Sequence, residues 1–255
     1  MIKKILKYTI IALIWLLLWQ VTAMAVSESL LLPSPVEVAK RLCALCLTKE
    51  LYSALLSSFL RIFSGLLLGV ILGVSGGILT ARYKIARDFF SPALAVIKST
   101  PIASFIILIL LWLDRDTVPV IISLLVVLPI VWSNIETAII STDKELLQMA
   151  RAYKMSRGAL ISHIYLPTVA PYLAASLNSS LGLAWKAGVA AEALILPAVA
   201  IGTRIFEAKY NLETVDLFAW TVVVIILSVI IEKLAIALLG AATKRFNSVK
   251  GGAAK

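Results

Sequence analysis

Six stretches of this chain are apolar over roughly 20 consecutive residues, about the length that an α-helix needs to cross the hydrocarbon core of a membrane. Hydrophobic residues make up 61% of the sequence and charged residues 15%, whereas a soluble domain carries roughly 25% charged residues. A helix satisfies its own backbone hydrogen bonds, and the alternation typical of a β-barrel does not occur. The sequence therefore predicts an all-α membrane protein with about six transmembrane helices rather than a soluble enzyme.

One transmembrane domain, residues 1–255, is expected to account for the chain. Its predicted spans are 8–26, 55–81, 90–113, 118–140, 167–191 and 217–239. Between them we expect a short amphipathic helix reaching about Leu47, a polar loop at 141–166, a semi-polar loop at Ile201–Asp216 and a basic tail at 243–255. The first span is interpreted as a retained helix because it is longer than the apolar run of a signal peptide, although Ala23-Met-Ala25 resembles a cleavage site.

The distribution of basic residues predicts the orientation in the membrane. The formal net charge is +10, but lysines and arginines flank the apolar spans instead of forming a stripe with aromatic residues, which argues against nucleic-acid binding. With the N-terminus inside, the cytoplasmic segments hold 14 of these residues and the outer segments 6. Both termini and the polar loop 141–166 are therefore predicted to be cytoplasmic.

The sequence lacks the motifs of the common catalytic and metal sites. Cys43 and Cys46 form a C-x-x-C pair, but the chain has one histidine and no second cysteine pair, so we interpret both as small apolar residues on the buried face of a helix. No phosphate-binding loop, H-E-x-x-H or G-x-S-x-G occurs. We therefore expect no catalytic residue, no metal and no cofactor in this chain, and energy for uphill transport must come from an ion gradient or a partner.

Four glycines of the second span lie four residues apart. Residues at this spacing stack on one face of a helix, and small side chains there let two helix backbones approach closely in lipid. We interpret the stripe as a helix-packing seam; its members are Gly65, Gly69, Gly73 and Gly77.

The fifth span is unusually small and polar for a helix that faces lipid. Because lipid penalises polar groups, this helix is expected to lie inside the bundle or along a polar path. Lys98, before Pro101, is open to two interpretations, as a path residue or as a residue near a helix end. The candidate path residues are Lys98, Asn178, Ser179, Lys186 and Glu192.

The polar loop between spans four and five contains a short amphipathic pattern. Asp143 and Ser156 are candidate helix caps. The apolar positions Leu146, Leu147, Ala150 and Tyr153 are predicted to form one face of the helix. Such a helix on a cytoplasmic loop suits either a surface anchor or a contact for a partner protein.

This loop resembles the hallmark motif of binding-protein-dependent ABC importer permeases, which reads E-A-A, three residues, G, nine residues, I-x-L-P. Gln148-Met-Ala150 stands at the E-A-A, Lys154 at the glycine and Ile164-Tyr-Leu-Pro167 at the end. Lysine in place of glycine is expected to affect the turn, because glycine permits backbone angles that lysine avoids. Three other segments resemble the nitrate/sulfonate/taurine branch: Leu32–Glu37, Ser58–Arg61 and Ala184–Glu192.

The resemblance implies a type I ABC importer-like permease bundle in a bacterial or archaeal plasma membrane. It implies a second permease copy, ATPase subunits that bind ATP and Mg²⁺, and an extracytoplasmic solute-binding protein. The loop helix, Glu145 to about Arg157, would sit in a groove of the ATPase. The implied coupling residues are Glu145, Gln148, Met149, Ala150, Arg151, Lys154, Ser156 and Arg157. Sulfonates, taurine, nitrate and vitamin precursors are all compatible solutes.

An ion-gradient-driven secondary transporter is the main alternative. It requires a relay of membrane-embedded carboxylates, for which Glu192 and Glu136 are the candidates. A non-transporting scaffold of a membrane complex is a third possibility. Co-purification with an ATPase distinguishes the importer from the secondary transporter, and a scaffold would tolerate loss of the polar face of the fifth span.

Overall fold

The computed structural model describes the backbone of residues 2–26, 28 and 30–252 and the side chains of 6–26, 28 and 30–237. All regular secondary structure in these ranges is helical. A π-helical turn, Ile161–Tyr165, precedes the ninth helix. The helices are α1 (Ile2–Val26), α2 (Pro35–Leu45), α3 (Lys49–Arg82), α4 (Lys84–Ser99), α5 (Ile102–Leu110), α6 (Val118–Ile140), α7 (Lys144–Ala152), α8 (Arg157–Leu160), α9 (Leu166–Ile195), α10 (Ile201–Tyr210) and α11 (Thr214–Gly252).

The helices agree with the predicted fold class. In the described part of the chain, five helices are long and apolar enough to cross a membrane, and α4 with α5 makes up to a sixth span. Five of the six predicted spans fall within single helices: α1, α3, α6, α9 and α11. The prediction of an all-α membrane protein with about six spans is confirmed.

The predicted third span, 90–113, is not one straight helix. It is divided between α4 and α5, which meet at an angle of 102°. Pro101 explains the break, because proline disfavours helical backbone angles at the preceding residue. Thr100 accordingly has an extended ψ of 130°.

Three other boundaries differ from the sequence prediction. The segment Ile201–Asp216, expected as a loop, contains α10. The loop helix expected to reach Arg157 ends at Ala152, and a turn separates it from α8. Residues 243–252 of the predicted basic tail continue the backbone of α11, whereas 253–255 lie outside the described residues.

The chain divides into two compact units, of which the first comprises Met1–Ser58 and Glu192–Leu227. A capping box starts α2: the Ser34 amide donates to the Glu37 carboxylate at 2.8 Å, and the Glu37 amide donates to the Ser34 hydroxyl. These hydrogen bonds hold the pKa of Glu37 below its ordinary value. Arg41 donates two hydrogen bonds to Asp216, which raises the pKa of Arg41. These contacts fix α2 against the start of α11.

The second unit comprises Phe59–Ala191 and Ser228–Lys255, and the glycine stripe of α3 lies against α6 within it. A β-carbon placed on Gly69 or Gly73 would lie 2.8 Å from the β-carbon of Val127 or Val131, respectively. The same holds for Gly77 and Ile135, at 2.8 Å. Real β-carbons do not approach so closely, so the two backbones pack at a distance that only glycine allows.

Charged side chains of α3, α4 and α6 form ion pairs within the second unit. Arg61 of α3 pairs with Asp116, just before α6. Arg87 of α4 pairs with Glu136 of α6 and also donates to the carbonyl oxygen of Thr80 at 3.2 Å. Glu136 is therefore neutralised by a partner, which counts against its use in a proton relay.

Candidate functional site

The helix of the polar loop, α7, is capped at both ends. At its start, the Asp143 carboxylate accepts a hydrogen bond from the Glu145 amide at 2.8 Å, which satisfies an otherwise orphan donor of the first turn. At its end, the amides of Lys154 and Met155 donate to the carbonyls of Arg151 and Ala150 at 3.0 and 2.9 Å. This pair of bonds is a Schellman motif.

Lys154 occupies the position of that motif at which glycine is usual. Its φ of +48° is left-handed, a conformation that costs a non-glycine residue about 1 kcal/mol. The expectation that lysine would alter this turn is therefore wrong in one respect: the left-handed geometry is retained, at a cost in stability. The hydrogen bonds of the turn and the cap of α8 hold it, since the Ser156 hydroxyl accepts from the Ala159 amide at 3.3 Å.

Lys154→Gly should stabilise this turn by about 1 kcal/mol, because glycine adopts the left-handed conformation without steric cost. Hydrogen exchange at the Met155 amide, which donates across the turn, should slow roughly fivefold. Gln148→Gly, which places glycine in the middle of α7 at an exposed position, should instead speed exchange in the same helix. Faster exchange at Met155 in Lys154→Gly would contradict this account of the turn.

The apolar residues of α7 divide between two faces, which corrects the predicted single face. Ala150 is buried at 3% exposure, and Leu147 beside it is half-buried. Leu146, Met149 and Tyr153 are 42%, 47% and 79% exposed. Because Tyr153 follows the last residue of α7, it projects away from the residues that pack inward. We call Leu146, Met149 and Tyr153 the exposed stripe.

The remaining predicted coupling residues are close to the exposed stripe in sequence and are exposed. Ala150 is the exception, because it is buried and positions α7 rather than presenting a contact surface. The exposed polar members are Glu145, Gln148, Arg151, Lys154, Ser156 and Arg157.

The predicted path residues of α9 lie on one exposed face. Asn178, Ser179 and Lys186 are exposed, and no heavy atom of another element lies within 4 Å of a β-carbon placed on Gly182 between them. Among the candidate spanning helices of the described chain, the segment containing α9 is the least apolar. Exposure of this polar face to lipid would be energetically costly, so the face must contact water or another protein.

Glu192, the fifth path candidate, occupies a different environment from these exposed residues. Its side chain is completely buried. One carboxylate oxygen accepts hydrogen bonds from the Ser58 hydroxyl at 2.7 Å and the Gly202 amide at 3.3 Å. The Ser58 oxygen accepts in turn from the Ile201 amide at 2.9 Å. Glu192 therefore caps the start of α10, where a negative charge is favoured by the helix dipole.

Lys98, the other predicted path residue, lies at the end of α4 and is exposed. Its ammonium group donates to the Ser133 hydroxyl of α6 at 2.7 Å. The side chain also lines a cavity beside the bend between α4 and α5. Lys98 therefore lies near the end of one helix and also contacts α6.

The cysteines do not pack as predicted. Cys43 and Cys46 are both exposed free thiols, whereas Val38 and Leu45 form the buried side of α2. The prediction of buried cysteines is wrong because α2 turns a different face inward. Among the described residues there is no group of three or more histidine, cysteine or acidic side chains that fits a metal ion.

Three residues of these surfaces were not singled out as site residues by the sequence. Leu146 and Tyr153 were predicted to share one apolar face with Leu147 and Ala150, whereas the structure exposes both of them. Ser133 carried no signal at all, because it is one hydroxyl within an apolar span.

Comparisons with known proteins identify the family of this chain. A family model described as the inner membrane component of binding-protein-dependent transport systems matches residues 65–247. The chain is 28% identical over 209 residues to the putative aliphatic sulfonates transport permease protein SsuC of Bacillus subtilis, covering 81% of this chain and 75% of that protein. It is 26% identical over 219 residues to the nitrate import permease protein NrtB of Synechocystis sp., covering 82% and 78%. This chain belongs to the family of inner membrane components of binding-protein-dependent transport systems, and is a multi-pass permease subunit of the ABC importer class.

Proposed function

We propose that this permease couples to a separate ATPase through α7 and carries a small anionic solute into the cell. The observation that carries the proposal is the exposed stripe of Leu146, Met149 and Tyr153, which are 42%, 47% and 79% exposed on a short polar loop. Exposed apolar side chains surrounded by polar residues are typical of a protein–protein contact. Position also supports it, since the charge distribution predicts that the loop is cytoplasmic.

The rigidity of α7 suits the transmission of force from a partner. Both ends of α7 are hydrogen-bonded, by Asp143 at the start and by the Schellman turn at the end. Ala150 and Leu147 anchor its inner face. A partner that moves the exposed stripe therefore moves the whole helix, and with it the π-helical turn Ile161–Tyr165 that leads into α9.

The polar face of α9 supports a paired arrangement. We infer that Asn178, Ser179 and Lys186, all exposed, line the translocation path with the same face of a second permease copy. Alternating access would then be a rigid-body movement of the two copies, driven by ATP and Mg²⁺ bound to the ATPase. A separate solute-binding protein would deliver the solute from outside.

The class of solute is inferred from the relatives and from charge. The relatives are named for aliphatic sulfonates and for nitrate, both of which are anions. Lys98 and Lys186 are exposed cations, and both fall within spans that the sequence predicts, 90–113 and 167–191. A small sulfonate or oxyanion therefore suits the proposed path better than a cation does.

Capture of the tagged chain from detergent-solubilised native membranes tests the proposed coupling. The expected result is recovery of an ATPase with a phosphate-binding loop, identified by mass spectrometry, together with ATP-dependent uptake after reconstitution. A chain that purifies alone and transports under an ion gradient without ATP would instead support the secondary-transporter alternative.

Charge reversal beside the exposed stripe should weaken coupling. In the proposed contact, the charges of the ATPase surface complement those of Glu145 and Arg151. Glu145→Arg and Arg151→Glu each reverse one of these charges, so we expect ATP-dependent uptake to fall about threefold to tenfold. The amount of chain inserted in the membrane should stay the same. Lys84→Glu, an exposed reversal on α4, serves as the matched control. Unchanged uptake in both loop variants would remove these two residues from the contact.

A further inference from the structure

A cavity of about 210 Å³ lies where α4 bends into α5 and faces α6. Most of its lining is aliphatic or aromatic, including Phe105, Ile122, Val126 and Ile130. The polar side chains that line it are Lys98 and Thr100. The bend at Pro101 therefore lies beside an open cavity with apolar walls and one cation.

The charge of Lys98 has no carboxylate partner among the described residues. Its ammonium donates to the neutral hydroxyl of Ser133 at 2.7 Å. Ser133 lies within α6 at seven residues from its end, which corresponds to about 10 Å of helix rise below the predicted cytoplasmic end. By contrast, Arg61 and Arg87, near the ends of the same bundle, both pair with acidic groups.

A lysine at this depth is costly unless something compensates its charge. The three donor hydrogens of the ammonium group also exceed what the Ser133 hydroxyl alone accepts. A ligand that supplies negative charge and further acceptors would meet both needs, and an oxyanion has both properties. The cavity volume corresponds to about seven water molecules, enough for a sulfonate or carboxylate group with a short aliphatic chain.

We propose that Lys98, whose ammonium is held by Ser133, binds an anion in this cavity, with the apolar walls receiving the carbon chain of a small organic sulfonate or a similar oxyanion. The inference rests on the proposed function, because it assigns a solute site within the same path. Lys98 attracts the anionic group, Ser133 holds the ammonium in position, and Thr100 lines the same cavity. The selectivity of the permease for anions arises here.

The reaction of a thiol placed in the cavity tests this site without ATP. Cys43 and Cys46 are first replaced by serine, and Ile130→Cys then introduces one thiol, one helical turn from Ser133. Full-length permease in native membranes is treated with methanethiosulfonate ethylsulfonate, an anion, or with the ethyltrimethylammonium analogue, a cation. We expect the nearby positive charge to raise the labelling rate of the anionic reagent, relative to that of the cationic one, by about tenfold.

The controls identify Lys98 as the source of that preference. Lys98→Gln should remove the roughly tenfold increase in the ratio of anionic to cationic labelling rates, whereas Lys98→Arg and Lys84→Gln should retain it. Excess ethanesulfonate should slow the anionic reagent in the parent, and not in Lys98→Gln. Reaction of the cationic reagent in every variant verifies that the thiol is still accessible in a folded chain.

Two results would overturn the site. A thiol that reacts with neither reagent would mean that the cavity admits no hydrophilic ligand, and equal preferences in the parent and in Lys98→Gln would mean that Lys98 does not attract anions. Because labelling requires no ATPase, either result leaves the ATPase capture unaffected. Failure of that capture would in turn leave the labelling result standing.

Discussion

Tyr153→Asp should reduce ATP-dependent uptake by more than tenfold while leaving the permease folded in the membrane. The side chain is 79% exposed and belongs to the exposed stripe, so its loss removes no internal packing. In a docked complex the ring would be buried against the ATPase, where a large aromatic anchor contributes about 2 kcal/mol or more. Aspartate removes that anchor and places an unpaired charge in the contact.

Tyr210→Asp provides a closely matched control. Tyr210 is 80% exposed and ends a short helix, α10. It is followed by a similar turn, in which Leu212 has a φ of +62°. The charge distribution predicts that α10 is on the opposite side of the membrane, so this substitution should leave capture of the ATPase unchanged.

The decisive measurement is the amount of ATPase recovered with each variant from solubilised membranes, together with uptake after reconstitution. Tyr153→Asp should lose most of the ATPase, whereas Tyr210→Asp should retain it. Equal recovery from both variants would show that the exposed stripe does not contact the ATPase, even though the chain belongs to the importer family.

Gly73→Ala should destabilise the permease by about 1–3 kcal/mol, because the added methyl group overpacks a close contact. Its β-carbon would lie 2.8 Å from the β-carbon of Val131 and 3.0 Å from the carbonyl oxygen of Leu128. One of these neighbours is backbone, which cannot rotate aside as a flexible side chain can. We therefore expect α3 and α6 to be forced apart.

Gly182→Ala isolates the packing effect from helix propensity. Gly182 also lies within a spanning helix, but no atom of another element is within 4 Å of its added β-carbon. Alanine there should be neutral or stabilising by about 0.5–1 kcal/mol. The thermal midpoint of detergent-purified protein should fall for Gly73→Ala and not for Gly182→Ala; equal midpoints would contradict a close α3–α6 contact.

The membrane spans were predictable because length and hydropathy determine them directly. Residues 118–140 coincide with α6, as expected where polar segments border an apolar run on both sides. The bend at Pro101 was harder to predict, since proline often only kinks a spanning helix whose freed carbonyl finds another donor. Helix α10 was missed because its polar side chains resemble those of a loop, while its start depends on the distant Ser58 and Glu192.

The site was only partly predictable from local sequence. The position of the loop and the cap at Asp143 followed from motif spacing and capping chemistry. The exposure of Tyr153 did not, because the apolar pattern groups it with Leu147 and Ala150, which pack inward. The contact of Lys98 with Ser133 joins residues 35 positions apart, and no periodic pattern encodes such a tertiary pair.

The glycine seam limits how the permease moves during transport. Gly69, Gly73 and Gly77 lie against Val127, Val131 and Ile135, respectively. Because these glycines are four residues apart, the successive contacts are about 6 Å apart along the helix. A slide of one residue, about 1.5 Å, would drive each branched side chain onto the neighbour of a glycine. The two helices can therefore pack only in discrete registers. During a transport cycle, α3 and α6 must move together as one rigid body for any displacement smaller than the spacing between registers.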